Sequence, residues 1–265
     1  MTLVYERAGS GPPLVLLHGV GHRRQAWEAV LERLTPHREV ITVDLPGHGQ
    51  SPPLDLAGRT APEALEDELS GMLKELGLDR PHVAGNSLGG RLALEAGVRG
   101  HAATVTALSP AGFWRNDRDF AYTRAIFRSM QAIGKGIAPI APSLSRSTAG
   151  RALMYGTIVA RPSRMTPEQA SGDIAAFLAA GDALTAILDT AIEFTGEIPG
   201  DVPVTIAWGD RDRLLRPHQA AIARQRLPKA RFVTLPGCGH VPMTDDPQLV
   251  ADVLLRGSSE SGASR

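Results

Sequence analysis

The chain has 265 residues, 43% of them hydrophobic, which is enough for one large domain with a substantial core. Lysine plus arginine and aspartate plus glutamate number 28 each, so nothing in the charge balance supports a nucleic-acid or membrane-surface partner. A single cysteine, Cys238, excludes an internal disulfide and a cysteine metal cluster.

The N-terminal stretch "MTLVYERAGSGPPLVLLHG" lacks the basic-then-apolar pattern of a signal peptide. Its longest apolar run, "LVLLHG", is too short to span a bilayer, so a soluble cytoplasmic protein is the expectation. "PLVLLHG" (13–19) reads as a buried strand, and "WEAVLERL" (27–34) as a helix with Trp27, Val30, Leu31 and Leu34 on one face. "EVITVDLPG" (39–47) is a second strand. "APEALEDELSGMLKELGL" (61–78) is helical, with Pro62 in the first turn and Gly77 at the end. "PHVAGNS" is a strand, "LGGRLALEAGV" a helix and "ATVTALSPAG" (103–112) a strand. This alternation implies parallel strands with right-handed crossovers, hence a twisted, mostly parallel α/β sheet flanked by helices.

Residues 114–199 carry no convincing strand. "RDFAYTRAIFRSMQAI" is helical, and in "TPEQASGDIAAFLAAG" Thr166, Pro167 and Gln169 form a capping box and first turn. "ALTAILDTAIEFTG" (183–196) is a further helix. Strands resume with "VPVTIAWGDRD" (202–212) and "ARFVTLPGCGH" (230–240). The expected organisation is therefore a core over 1–113 and 200–256, an all-helical insertion over 114–199, and a disordered polar tail over 257–265.

Residues 85–89, Gly-Asn-Ser-Leu-Gly, lie between a strand and a helix. This is the pattern of a nucleophile elbow, in which a strained turn lifts a serine hydroxyl above the sheet edge. The glycines at either side leave room for the turn, and the N–H of Leu88 is placed to receive a developing negative charge. A serine needs a base to take its proton. Of the eight histidines, His240 follows the last strand and emerges at the same sheet edge as Ser87. His18 also follows a strand, but its early position suggests another role. His22, His37, His48, His82, His101 and His218 read as solvated or core histidines. The carboxylate that orients the base is Asp210 or Asp212, with Asp212 favoured because it sits three residues beyond Gly209, past the strand end. The order Ser87, Asp212, His240 is the order of an α/β-hydrolase triad. A second oxyanion donor is the backbone N–H of Val20, in "LLHGVGH". No H-E-x-x-H spacing suggests a metal, and no P-loop or G-x-G-x-x-G suggests a nucleotide, so no cofactor is expected.

With "LLHGVG", "VDLPGHGQS", "GNSLGG", "WGDRD" and "GCGHVPMTDDP" in place, the chain resembles the α/β-hydrolase superfamily over nearly its whole length. The resemblance implies that Val20 and Leu88 supply the oxyanion hole, that Asp44 to Ser51 is a structural turn, and that 114–199 is a cap over the active site. "GNSLGG" is similar to the elbow of the meta-cleavage-product hydrolases, which cut carbon–carbon bonds. A tryptophan commonly follows the catalytic histidine there, and Val241 stands in its place here. The expected activity is that of a serine hydrolase acting through an acyl-enzyme on a carboxylic ester, lactone or related carbonyl compound. The alternatives are carbon–carbon bond hydrolysis, cofactor-free perhydrolysis or haloperoxidation, and non-catalytic binding of a small molecule on the same fold. Phe113 and Trp114, at the start of the insertion, and Val241 are candidate substrate-contacting residues. Most of the insertion's apolar side chains are expected to pack its core, with a few lining a site for a mostly apolar small molecule. The oligomeric state is not readable.

Overall fold

The computed structural model describes residues 3–191 and 193–259. Seven strands form one sheet: β1 (Tyr5–Gly9), β2 (Pro13–Leu17), β3 (Glu39–Val43), β4 (His82–Asn86), β5 (Thr104–Leu108), β6 (Val204–Gly209) and β7 (Arg231–Leu235). Their order is β1-β3-β2-β4-β5-β6-β7, and every pairing is parallel except β1 with β3. β4 and β5 are buried at every position, so both faces of the sheet centre are covered. That is why these strands read as continuous apolar runs rather than alternating ones. β1 was not anticipated: "YERAG" is polar and exposed, and it is held by antiparallel pairing along one edge.

Between β2 and β5 lie α1 (Glu28–Leu34), α2 (Ala61–Glu75) and α3 (Leu88–Val98), the last packing on β4 and β5. Between β5 and β6 lie α4 (Asp117–Ile137), α5 (Ala141–Ser145), α6 (Thr148–Tyr155), α7 (Pro167–Ala179) and α8 (Gly181–Thr190). Thr166 and Gln169 make the expected capping box on α7. α8 stops at Thr190, short of the expected end at 196. The reason is Phe194, which is fully buried against Phe113 with its N–H donated to the Gly112 carbonyl and its carbonyl taken by Arg226.

Three helices follow β6: α9 (His218–Arg226), α10 (Pro242–Asp245) and α11 (Pro247–Gly257). α11 lays Val250, Val253 and Leu254 on the core, and it corrects the expectation of disorder from 257 onward. A Cβ on Gly257 would stand 2.1 Å from Thr106 Oγ1, so the helix end is pressed onto the sheet. Ser258 is buried and accepts from the Arg38 guanidinium at both its hydroxyl (3.0 Å) and its carbonyl (2.9 Å). The remaining tail, 260–265, lies outside the described residues.

Beyond β3, the Asp44–Ser51 stretch is a closed turn. The Asp44 carboxylate accepts from Arg24 N (2.7 Å) and Gln50 N (3.0 Å) and pairs with the Arg24 guanidinium. Gly49 sits at φ +55°, where a Cβ would fall 2.2 Å from Asp44 Cγ. His18 and His48 meet behind this turn with ring centroids 5.3 Å apart. His18 Nδ1 donates to the Gly19 carbonyl (2.8 Å) and its Nε2 accepts from Leu45 N (3.0 Å), a pair of roles that only the neutral ring can fill. His48 Nδ1 donates to the Pro46 carbonyl at 2.9 Å. Burial lowers His18 well below its ordinary value and brings His48 down to about 4, against the opposing pull of the Pro46 carbonyl and Asp44.

This lowering has a measurable consequence. The unfolded chain takes up the His48 proton near the ordinary value of 6.5, before the folded chain does. The contribution is therefore complete above that value and is lost as pH falls toward 4. About 2 kcal/mol is expected to vanish between roughly pH 7 and pH 5 through His48 alone. Urea unfolding at the two pH values checks this: His48→Gln should lose less stability across the interval than the parent chain, by about that amount.

Candidate active site

The turn from β4 into α3 is set by steric exclusion. A Cβ on Gly85 would lie 2.2 Å from the Gly89 carbonyl carbon and oxygen, and one on Gly89 would lie 2.0 Å from the Leu17 carbonyl oxygen. Ser87, between them, has φ +57° and ψ −114°, a conformation that costs a non-glycine residue about 1–3 kcal/mol. Its backbone is held by Ser87 N to the Leu108 carbonyl (2.9 Å) and by Arg91 N and Ala111 N to its own carbonyl (2.9 and 3.1 Å). Ser87 stands at the N-terminus of α3, next to the first helical amide, Leu88. Val20 follows β2 in the adjacent loop, where Gly19 approaches so closely that a Cβ would be 3.2 Å from Ser87 Cβ. Neither the Leu88 nor the Val20 N–H donates to a protein acceptor among the described residues.

The loops after β6 and β7 bring Asp212 to His240. His240 Nδ1 lies 2.8 Å from Asp212 Oδ2, with both side chains buried. The carboxylate accepts a hydrogen bond from Nδ1–H, the tautomer that leaves the Nε2 lone pair free. Asp212 Oδ1 accepts from Leu214 N and Leu215 N, each at 2.9 Å, so the carboxylate is fixed from both sides. Asp210 has a different duty: it accepts from Gly237 N at 2.7 Å and ties the β6 and β7 loops together. Asn86, the residue before Ser87, donates its side-chain amide to the Leu108 carbonyl (3.1 Å) and to the His240 carbonyl (2.9 Å). Ser87 and His240 line one cavity, though no hydrogen bond joins them among the described residues.

Two residues that sequence reasoning passed over shape this region. Asp245 is fully buried and accepts from Gly239 N (2.7 Å), Ala160 N (3.1 Å) and Arg161 N (2.6 Å), so it binds the His240 loop to the helical insertion. Burial raises its carboxyl above the ordinary value while those amides and Arg161 oppose the shift. His22, read as a solvated or core residue, lies on the cavity wall with Nε2 3.8 Å from Asp173 Oδ2 on α7. Arg23 Nε also reaches Asp173, at 3.4 Å. The position of His22 on the Val20 loop was the available signal. Cys238 is buried and its thiol is pushed up to about 12, which makes it a poor nucleophile.

Two cavities meet at Ser87. The larger, about 200 Å³, is lined by His240, Val241 and Asn86 from the sheet side and by Met154 and Phe177 from the insertion. The smaller, about 60 Å³, is lined by Leu88, Leu92, Trp114 and Phe120. Val20, Ser87 and Phe127 border both. Val241 lines the larger cavity and Trp114 the smaller. Phe113 lines neither: it is fully buried in the core against Phe194. More of the insertion's apolar side chains face a cavity than expected, including Phe120, Phe127, Met130, Met154 and Phe177.

The sequence profile of the alpha/beta hydrolase family matches residues 14–253. The chain is 30% identical over 277 residues to a pimeloyl-[acyl-carrier protein] methyl ester esterase of Aeromonas hydrophila, covering 96% of this chain and 98% of that one. It is 25% identical over 263 residues to Lipase 1 of Psychrobacter immobilis, covering 94% and 78%. Among solved structures it superposes on the enol-lactonase of Burkholderia xenovorans LB400 with a TM-score of 0.73 at 20% identity, covering 96% and 93%.

The role of Asp245 is testable by Asp245→Asn, which keeps the shape but turns one face of the acceptor into a donor opposed to backbone amides. The expected cost is about 2 kcal/mol in denaturant unfolding, with a lowered thermal midpoint. An unchanged midpoint would show that the three amide bonds contribute little.

Proposed function

The chain belongs to the alpha/beta hydrolase family, and we propose that it is a serine hydrolase that cleaves a small to medium carboxylic ester, lactone or related carbonyl compound through an acyl-enzyme. The observation that carries this reading is the buried Asp212–His240 pair at 2.8 Å opening into the cavity that Ser87 also lines. The names of the relatives, esterases and a lipase, favour the same chemistry.

In the proposed reaction Ser87 Oγ attacks the carbonyl carbon while His240 Nε2 takes the hydroxyl proton. Asp212 holds the ring in its productive tautomer and stabilises the imidazolium. The carbonyl oxygen, now negative, is received by the N–H groups of Leu88 and Val20, whose lack of protein acceptors suits them to it. Each such donor is worth about 3–4 kcal/mol in the transition state. As the carbon–oxygen bond of the leaving group breaks, that oxygen keeps the electron pair and takes the proton from His240. Water, deprotonated by His240, then attacks the acyl-enzyme carbonyl; the bond from carbon to Ser87 Oγ breaks, Oγ takes the proton back from His240, and the acid is released. In this reading the helices over 114–199 act as a cap that gives the reaction an apolar chamber, where electrostatic stabilisation is stronger than in water.

Ser87→Ala is expected to lower kcat on p-nitrophenyl esters by about 10⁴-fold or more with unchanged circular dichroism, and to abolish labelling by a fluorophosphonate. Asp212→Asn, which leaves the geometry but favours the wrong tautomer, is expected to cost about 10³–10⁴-fold. Retained turnover in Ser87→Ala would overturn the mechanism. Failure of the parent chain to label or turn over would point to a binding protein instead.

A further inference from the structure

Within the serine-hydrolase reading above, on which this step rests, we infer that the two cavities divide the substrate. The acyl substituent occupies the smaller cavity and the leaving alcohol the larger, so the preferred substrate is a short-chain acyl ester of a larger apolar alcohol.

The argument begins with the tetrahedral adduct on Ser87 Oγ. Its carbon carries four groups: the serine oxygen, the oxyanion, the acyl substituent and the leaving oxygen. The oxyanion is taken by Leu88 N and Val20 N. The leaving oxygen must lie where His240 Nε2 can give it a proton as its bond to carbon breaks. His240 lines the larger cavity and does not line the smaller one. The leaving group therefore points into the larger cavity. The remaining direction leads past Leu88 into the smaller cavity. In the reverse arrangement the leaving alkoxide would depart on the side without His240, with no proton donor beside it.

Size then sets the chain lengths. The smaller cavity has about 60 Å³ and the larger about 200 Å³, so the smaller takes the shorter group and the larger the bulkier. The smaller is lined by Trp114, tilted against Phe120 with ring centroids 4.4 Å apart, and by Leu92 and Ile187. The larger ends at Ile133 and Leu153, which are 60% and 75% exposed. An alcohol too long for the cavity meets an apolar rim there, whereas every residue lining the smaller cavity is buried or half-buried. Phe127, which borders both cavities, is the partition between them.

Two ester series test the partition, read as kcat/KM. One holds the acetyl group fixed and lengthens the alcohol from methyl to octyl. The other holds the p-nitrophenyl leaving group fixed and lengthens the acyl chain from acetyl to decanoyl. Expected are a rise of about tenfold or more along the first series, and a fall of about tenfold or more once the acyl chain exceeds about six carbons. Trp114→Ala should move the acyl cutoff to longer chains and leave the alcohol preference in place. Met154→Ala should alter the alcohol preference alone. A preference for long acyl chains on methyl esters, two flat series, or an exchange of the two variants' effects would overturn the partition. Should either variant fail to fold, the parent's two series decide. Fluorophosphonate labelling separates the levels: a labelled enzyme with reversed preferences refutes the partition alone, while an unlabelled parent chain refutes the serine-hydrolase reading beneath it.

Discussion

The close approach of α3 to β2 is the constraint from which the site follows. With Gly89 lying so near the Leu17 carbonyl that no side chain fits between them, the N-terminus of α3 abuts the end of β2. The loop that continues β2 then has to pass the turn at Ser87, and the backbone amides of Val20 and Leu88 come to border the same space. A larger residue at Gly85 or Gly89 would separate the two segments, and the polar geometry would go with them. Packing comes first here, and the strained serine backbone persists because its neighbours leave it no alternative.

The C-terminal strands are joined to this centre by buried hydrogen bonds as well as by apolar contact. Asn86 holds the His240 carbonyl, Asp212 holds its ring, and Asp245 holds the preceding glycine amide. Each acceptor or donor is buried and each is matched, as buried polar groups must be. The three contacts come from different stretches of chain, so the imidazole is located by the whole α/β core and by the insertion that Asp245 grips.

Much of this was legible in the sequence, for identifiable reasons. β2 through β7 are apolar runs ended by glycine-bearing loops, and helices on both faces impose that pattern. The Ser87 turn announces itself through its two glycines. The preference for Asp212 over Asp210 rested on its distance beyond Gly209, and Asp212 is the one in contact with His240. What escaped notice had no local pattern. β1 is stabilised by an edge, not by burial. α9 is polar, with Gln219 and Ala223 as its buried residues. Asp245 and Asp173 act on partners 84 and 150 residues away, beyond any periodicity. Phe113 looked like a companion of Trp114 because they are adjacent, yet Phe113 packs on Phe194 in the core while Trp114 lines the smaller cavity.

The contact between α7 and the Val20 loop carries a mechanical implication. Phe177 lies against Gly21 so closely that a Cβ there would be 2.4 Å from its ring, while Asp173 holds Arg23 on the same segment. α7 and the loop after β2 are therefore tied at two neighbouring points. In the proposed mechanism, a displacement of α7 wide enough to admit a bulky molecule would pull on the segment bearing the Val20 amide, which couples access to the cavity with the alignment of that donor.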